Sequence, residues 1–533
     1  MARLQHIQVH APSKDLPWPA MLSILESLFP VKFDSSANVE AKREGMIIAK
    51  PLDAGADDND VTVTSLTVPW DEMPCGLESA RKIKVAFSSD RDVPFPFRGV
   101  SLDLHVAVPP AILVPRPGEK ILAICDSAPV WVLAIKEGIR HYRSGFALPE
   151  IPQNGNLVDV LGGDRFIEML ILLQWLRESF SDVCYQGPPL RACFMFDDPN
   201  LHWPRYGCVD YSQIAQHALR GNYHVSFATI PLDTWFTHKK TADIFRRNPN
   251  HLSLLVHGNN HTWLELARRR SEASRLGLLS QALTRVEHLE RTTGIPVSRV
   301  MVPPGGACVE ETLGDLPKCG FEAACISHGS LRLFNQDRIW TRTLGYRPAE
   351  LIQGCPVLPR WALSRAPSAV NTVLLAAYLN QPIILRGHHN DLKDGIELLD
   401  EMGKLINGLG SVLWSDLTDV SRRNYCWRMN GHVFRVKPMG RRLTVHRPAG
   451  ATEMMIESNG FDDWSEWQTA GIESAPLDVT AGECVSLSDT AVDSISLKVL
   501  TEEQLPRRIS EPRFAPLPIL RRVLTEGRDR WLS

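Results

Sequence analysis

One apolar run and the way it ends constrain this chain most. Leu190-Arg191-Ala192-Cys193-Phe194-Met195 reads as a buried strand, and Phe196-Asp197-Asp198-Pro199-Asn200 ends it in two adjacent carboxylates. A proline directly after them stops the strand, so both acids fall at the rim of a sheet. About sixty residues on, Leu252-Ser253-Leu254-Leu255-Val256 runs into His257-Gly258-Asn259-Asn260-His261. Two strands thus deliver metal-ligating side chains at their C-terminal ends, where parallel α/β folds carry their chemistry.

The segment around these strands repeats the same unit. Strands at 191–196, 225–230, 252–256, 300–302, 323–326 and 382–385 alternate with helical stretches at 211–220, 241–247, 263–292, 310–319, 368–379 and 392–409. Repeated βα units give a parallel sheet, and polar residues just past each apolar run point to a (β/α) barrel with its site on one face. This central domain covers 186–424. Before it, residues 1–185 hold strand-like runs at 45–49, 61–64, 82–87, 104–108, 120–125 and 130–134. They also hold a short helix over 19–29, an acidic loop over 53–60 and an apolar helix over 164–178, and read as an auxiliary α/β domain. After it, period-two runs at 433–436, 442–446, 453–457 and 494–499 read as a small antiparallel β-sandwich module over 425–505. Residues 506–533 form a basic tail with a helix around Leu520–Leu524, solvated or offered to a protein or membrane surface.

Composition narrows the function classes. With 58 basic against 61 acidic residues, the chain has no charge surplus to drive nucleic-acid binding. No stretch is apolar enough for a transmembrane helix, and the N-terminus opens no secretory h-region. The eleven cysteines are scattered without CxxC pairs, which suits reduced thiols, so a cytoplasmic location is expected.

Alone, an Asp-Asp turn, a His-x-x-x-His and a Pro-Pro-Gly-Gly loop each have a bland structural role. Their order, each after a strand, is what is specific. Asp198, His257 and His261 supply one carboxylate and two imidazoles, a set suited to zinc, with cobalt or nickel as alternatives. The two histidines, four apart, share a face if a helix starts after Val256. Asp197 is then free to act as general base. His388, in Arg386-Gly387-His388-His389 after the last strand, is the candidate acid, with His389 behind it.

With these residues in view, the central domain resembles the NodB-type polysaccharide deacetylases. Phe196-Asp197-Asp198 is similar to the family's first motif, His257 and His261 to its second, Val302-Pro303-Pro304-Gly305-Gly306 to its third, and Ile383 to His388 to its last. The resemblance implies Asp197 as catalytic base, Asp198, His257 and His261 as metal ligands and His388 as acid. It implies a Pro304-Gly305-Gly306 loop holding the oxyanion through a backbone N–H. Three departures stand out. The third-motif arginine that tunes the base is Val302, the tyrosine is Gly305, and Asp198 is followed by Pro199-Asn200. Arg360, Arg386 and Arg347 are candidates to replace the arginine.

The expectation is a metal-dependent hydrolase that removes N-acetyl groups from a sugar or polysaccharide precursor. Two alternatives remain: a silent carbohydrate-binding scaffold, and a hydrolase of another C–N bond such as a cyclic amide.

Overall fold

The computed structural model describes residues 5–11, 18–37, 44–49, 64–69, 81–152, 154–181, 184–470, 476–487, 493–500 and 516–531. The acidic stretch 53–60 and positions 61–63 lie outside the described residues. The chain forms two compact units. One comprises Met1–Tyr185, Ile339–Arg347 and Ala366–Tyr378; the other comprises Gln186–Arg338, Pro348–Arg365 and Leu379–Ser533.

The first unit is built on a nine-stranded mixed sheet. Its middle is an antiparallel meander of Glu119–Cys125, Ala128–Lys136 and Ile139–Ser144. The helix Ile167–Ser179 is buried along most of its length, which is why its sequence is apolar almost all round. The helix expected over 368–379 in the central domain, observed as Pro367–Tyr378, belongs to this unit instead. Its Asn371 donates to the Asp103 carbonyl at 2.9 Å and to Asp164 at 2.6 Å.

The second unit carries a ten-stranded sheet. Arg191–Asp197 is central, flanked in parallel by Val225–Thr229 and Ile383–Gly387. Leu252–His257, Val297–Val302, Ala323–Cys325 and Cys355–Leu358 continue the parallel order on one side. Trp361–Ala362 adds to Ile383–Gly387 on the other. Every residue of Arg191–Asp197, Val225–Thr229 and Leu252–His257 is buried, the pattern of a parallel sheet covered on both faces.

The ladder does not close into a continuous barrel. Its path ends at the hairpin strand Glu350–Ile352 on one side and at Trp361–Ala362 on the other. Yet Leu358 and Trp361, on strands at opposite ends of the sheet, are separated only by Pro359-Arg360. Three Cα–Cα steps span at most roughly 11 Å, so the sheet curls back on itself and the chain bridges the gap. The expected barrel is therefore a ring broken at Pro359-Arg360, where proline removes a ladder donor.

Two corrections concern local structure. The long helix expected over 263–292 starts later, at Glu272, after the Ser271 cap, and runs to Thr293. The β-rich module packs two four-stranded sheets around Phe434, Met454, Trp464, Trp467 and Leu497. It is not wholly antiparallel, because Val433–Pro438 pairs with Glu453–Ile456 in parallel.

Candidate active site

Asp197 is the last residue of its strand, and Asp198 leaves it with φ of 83°. This left-handed turn at a non-glycine residue is strained, and it lets two adjacent acids serve different partners.

Asp197 is buried and faces Arg360. The Arg360 guanidinium donates through Nη1 to Oδ1 at 3.2 Å and Oδ2 at 3.1 Å. Of the three arginines considered from sequence, Arg360 is the one brought to the acid. Arg386 instead lies 3.5 Å from His388 Nδ1. Arg347 belongs to the first unit.

Asp198 faces the histidines. Its Oδ1 lies 2.9 Å from His261 Nε2 and 3.4 Å from His257 Nε2. One donor atom from each of the three residues falls within 4.8 Å of the others. The His257 Nδ1–H donates to the Val302 carbonyl at 2.9 Å, so a neutral His257 turns its Nε2 lone pair toward the carboxylate. Asp198 Oδ1 is sealed from water between the two rings. Lone pairs converging in this way repel unless a cation or a proton stands between them. Burial alone would raise the Asp198 carboxyl, but the two imidazoles hold it well below the usual carboxylate range. Burial likewise pulls His257 down, and the neighbouring Asp198 turns the net direction upward. One carboxylate and two imidazoles at this spacing fit a divalent ion of the zinc type.

The segment between the histidines is not the helix that their spacing suggested. His257 ends its strand, while His261 sits in a loop with φ of 54°. The loop is held by a residue that sequence reading missed. Glu265 is buried, and its carboxylate accepts the backbone amides of Asn259 at 2.8 Å, Asn260 at 2.8 Å and His261 at 3.2 Å. Gly258 has φ of 59°, and a Cβ there would stand 2.7 Å from both Glu265 Oε2 and Pro304 Cγ. Only glycine lets this loop rest on these two side chains.

The Pro304–Gly306 turn follows the Val297–Val302 strand. Pro304 packs on Gly258. The Gly306 amide donates to the Pro303 carbonyl at 2.9 Å. Gly305 is exposed with open space around it. His388 follows Gly387, which pairs with Phe196, so it leaves the end of the neighbouring strand next to the position of Asp197. Its backbone N–H donates to Asp391 Oδ2 at 2.7 Å. His389 points elsewhere. It is buried against Tyr206, with ring centroids 5.6 Å apart, and is wedged over Gly207.

No protein-family model matches the chain, and no curated protein does. Solved structures do. The carbohydrate deacetylase Agd3 is similar over 78% of this chain and 82% of its own, at 10% identity and TM-score 0.41. A peptidoglycan deacetylase from Bacillus subtilis is similar over 44% and 91%, at 11% identity and TM-score 0.26. A family 4 carbohydrate esterase pseudoenzyme from Bacillus anthracis is similar over 45% and 69%, at 12% identity and TM-score 0.28. The chain resembles the polysaccharide deacetylases. The chemistry rests on the side chains described above.

Proposed function

We infer that this site hydrolyses the N-acetyl amide of a carbohydrate with the help of a divalent ion. The observation that carries the reading is the split of the Asp197-Asp198 pair. Asp198 Oδ1 meets two imidazole nitrogens, while Asp197 is clamped by Arg360. Asp198, His257 and His261 would hold the ion. When bound, it supplies Lewis acidity toward an acyl carbonyl and acidifies water.

The chain's own residues do the rest. Asp197 takes the proton as water adds to the acetyl carbon. Arg360 pairs with that carboxylate and orients it. The Gly305 N–H is the turn's candidate donor to the developing oxyanion, because Gly306 N–H is committed to Pro303. His388 gives a proton to the amine as the C–N bond breaks, leaving acetate and a free amino sugar. His389, packed away against Tyr206, takes no part.

Arg360 also weighs against a silent scaffold. That alternative draws on the departures at Val302 and Gly305, and the Arg360 guanidinium on Asp197, from a different strand connection, supports a replacement for the arginine missing at Val302. The cytoplasm is the proposed location, supported by the ten described cysteines, none of which forms a disulfide.

The test is acetate release from a panel of N-acetylated glycans by zinc- or cobalt-loaded protein, with Asp197→Asn as control. Release by wild type and not by the variant is expected. Absence of release across the panel, with metal bound, would overturn the reading in favour of a binding scaffold or another C–N substrate.

A further inference from the structure

The C-terminal helix Pro516–Trp531 is docked with its polar face inward. Arg522 is buried and pairs with buried Asp233, Nη2 to Oδ2 at 2.7 Å. Glu526 Oε2 accepts from Asn200 at 3.1 Å and faces His202 Nδ1 at 3.0 Å. Asn200 is two residues beyond Asp198, so the helix is anchored on the rim of the active site.

Its outward face is apolar. Leu517, Leu520, Val523 and Leu524 are 78%, 56%, 54% and 66% exposed. At 100° per residue they form one arc, and Val523 lies at its edge toward the sheet. There the arc meets Trp203, Trp235 and Phe236 from the rim loops, which are also exposed. These three aromatics and Val523 line one groove of about 510 Å³, floored by His202 and Glu526. The floor is already satisfied, since His202 Nε2 faces the Asp233 carbonyl at 2.8 Å and its Nδ1 faces Glu526. An occupant of this groove therefore has no need to hydrogen-bond.

The border of the patch is cationic. Arg521 and Arg528 are exposed on the flank of the helix. On the other side His238 stacks on Trp203 at 5.9 Å, and exposed Lys239 and Lys240 follow it. Tryptophan, phenylalanine and leucine bordered by lysine and arginine suit the boundary between acyl chains and anionic head groups. No helix among the described residues is long and apolar enough to cross a membrane, so contact here would be peripheral.

We propose that this face docks on an anionic lipid bilayer. Leu517, Leu520, Leu524 and Trp235 enter the acyl boundary, an acyl chain fills the aromatic groove, and the active site is held at the membrane surface over a lipid-borne glycan. The choice of substrate rests on the hydrolase reading above; the docking does not.

The test is co-sedimentation of the full chain with phosphatidylcholine vesicles, with and without phosphatidylglycerol, and light scattering without lipid. Wild type is expected as a monomer that pellets with the anionic vesicles and is partly released by salt. Leu520→Glu with Leu524→Glu, and separately Trp235→Glu, should weaken binding about tenfold or more. Their melting temperatures and acetate release from a soluble N-acetylated oligosaccharide should match wild type. Failure of wild type to pellet with either vesicle would overturn the proposal. So would a dimer that the same substitutions split, because the face would then join two copies. Vesicle binding without acetate release from any glycan would sink only the hydrolase reading.

Discussion

Arg360, in the break of the sheet, and Asp197, at the end of the central strand, form a buried pair, with one guanidinium nitrogen 3.1 and 3.2 Å from the two carboxylate oxygens. The break and the pair explain each other. A continuous ladder through Pro359-Arg360 would commit the backbone there to its neighbours. The interruption frees the connection to carry a charged side chain inward to the acid at the end of the central strand.

Arg360→Met leaves the Asp197 carboxylate buried without its counter-charge. Uncompensated buried charge costs about 3–5 kcal/mol. The variant should lose stability by that order in urea denaturation, and the base loses the group that orients it. Acetate release should then fall by about two orders of magnitude or more, the scale of general-base catalysis. Arg360→Lys, which keeps the charge but not the planar fork, should fall between. Activity of the Met variant within twofold of wild type would show that Asp197 acts without this partner.

Glu265 should set metal affinity without touching the ion. Its two oxygens accept three successive amides of the loop that presents His261. Glutamine has one acceptor oxygen and turns an NH₂ toward amide donors. Glu265→Gln should weaken zinc binding about 10–100-fold, the usual effect of a lost outer partner. Chelator competition measures this, with circular dichroism to confirm the fold. Unchanged affinity would mean that the strand end and Gly258 suffice to hold the loop.

The parts that were legible in the sequence are those fixed by one residue's neighbours. Strand ends, the Asp-Asp pair and the histidines are local patterns, and the structure brings Asp198, His257 and His261 together. The loop shape was not legible, because four-residue spacing suits a helix turn and a strained loop alike. What selects the loop is Glu265, whose burial depends on Gly258 and Pro304 from separate strands. Arg360 was one of three arginines that sequence could not separate, since the choice depends on where the sheet ring breaks. The C-terminal helix around Leu520–Leu524 was legible, but not that its polar face turns inward. Its partner Asp233 lies 289 residues away along the chain, and no periodicity reports that.

His388 and Asp198 should fail differently. Asp198→Ala removes a ligand, so both metal and activity are lost. His388 directly follows the neighbouring strand, outside the Asp198 group, and its backbone is fixed by Asp391. His388→Ala should keep about one equivalent of zinc, as expected for a single site of this type, and lose about 10²–10⁴-fold in kcat. Metal analysis beside kinetics separates the two. Loss of zinc in the His388 variant would remove it from the role of acid and make it part of the ion's surroundings.

Docking of the C-terminal helix should depend on pH through His202. Both ring nitrogens face acceptors, Glu526 Oε2 at 3.0 Å and the Asp233 carbonyl at 2.8 Å, an arrangement that only the doubly protonated ring satisfies. Burial pulls the His202 imidazole down, but Glu526 and the carbonyl outweigh it, and its pKa is raised above the ordinary 6.5. The folded value therefore lies above the unfolded one. The pair's contribution is fully present below about pH 6.5 and is lost as pH rises through the folded pKa. Above that point a neutral ring must leave one acceptor unpaired, and the hold of Glu526 on the rim weakens. Amide exchange of residues 516–531 should accelerate as pH rises through that window, after correction for the intrinsic pH dependence of exchange. Trp235, whose ring lies 5.0 Å from His202, should report the same midpoint by fluorescence. Glu526→Gln removes the charge that raises His202, so the midpoint should move down toward the ordinary histidine value. A helix whose exchange shows no such transition in wild type would be held by the Arg522–Asp233 pair alone, with His202 neutral throughout.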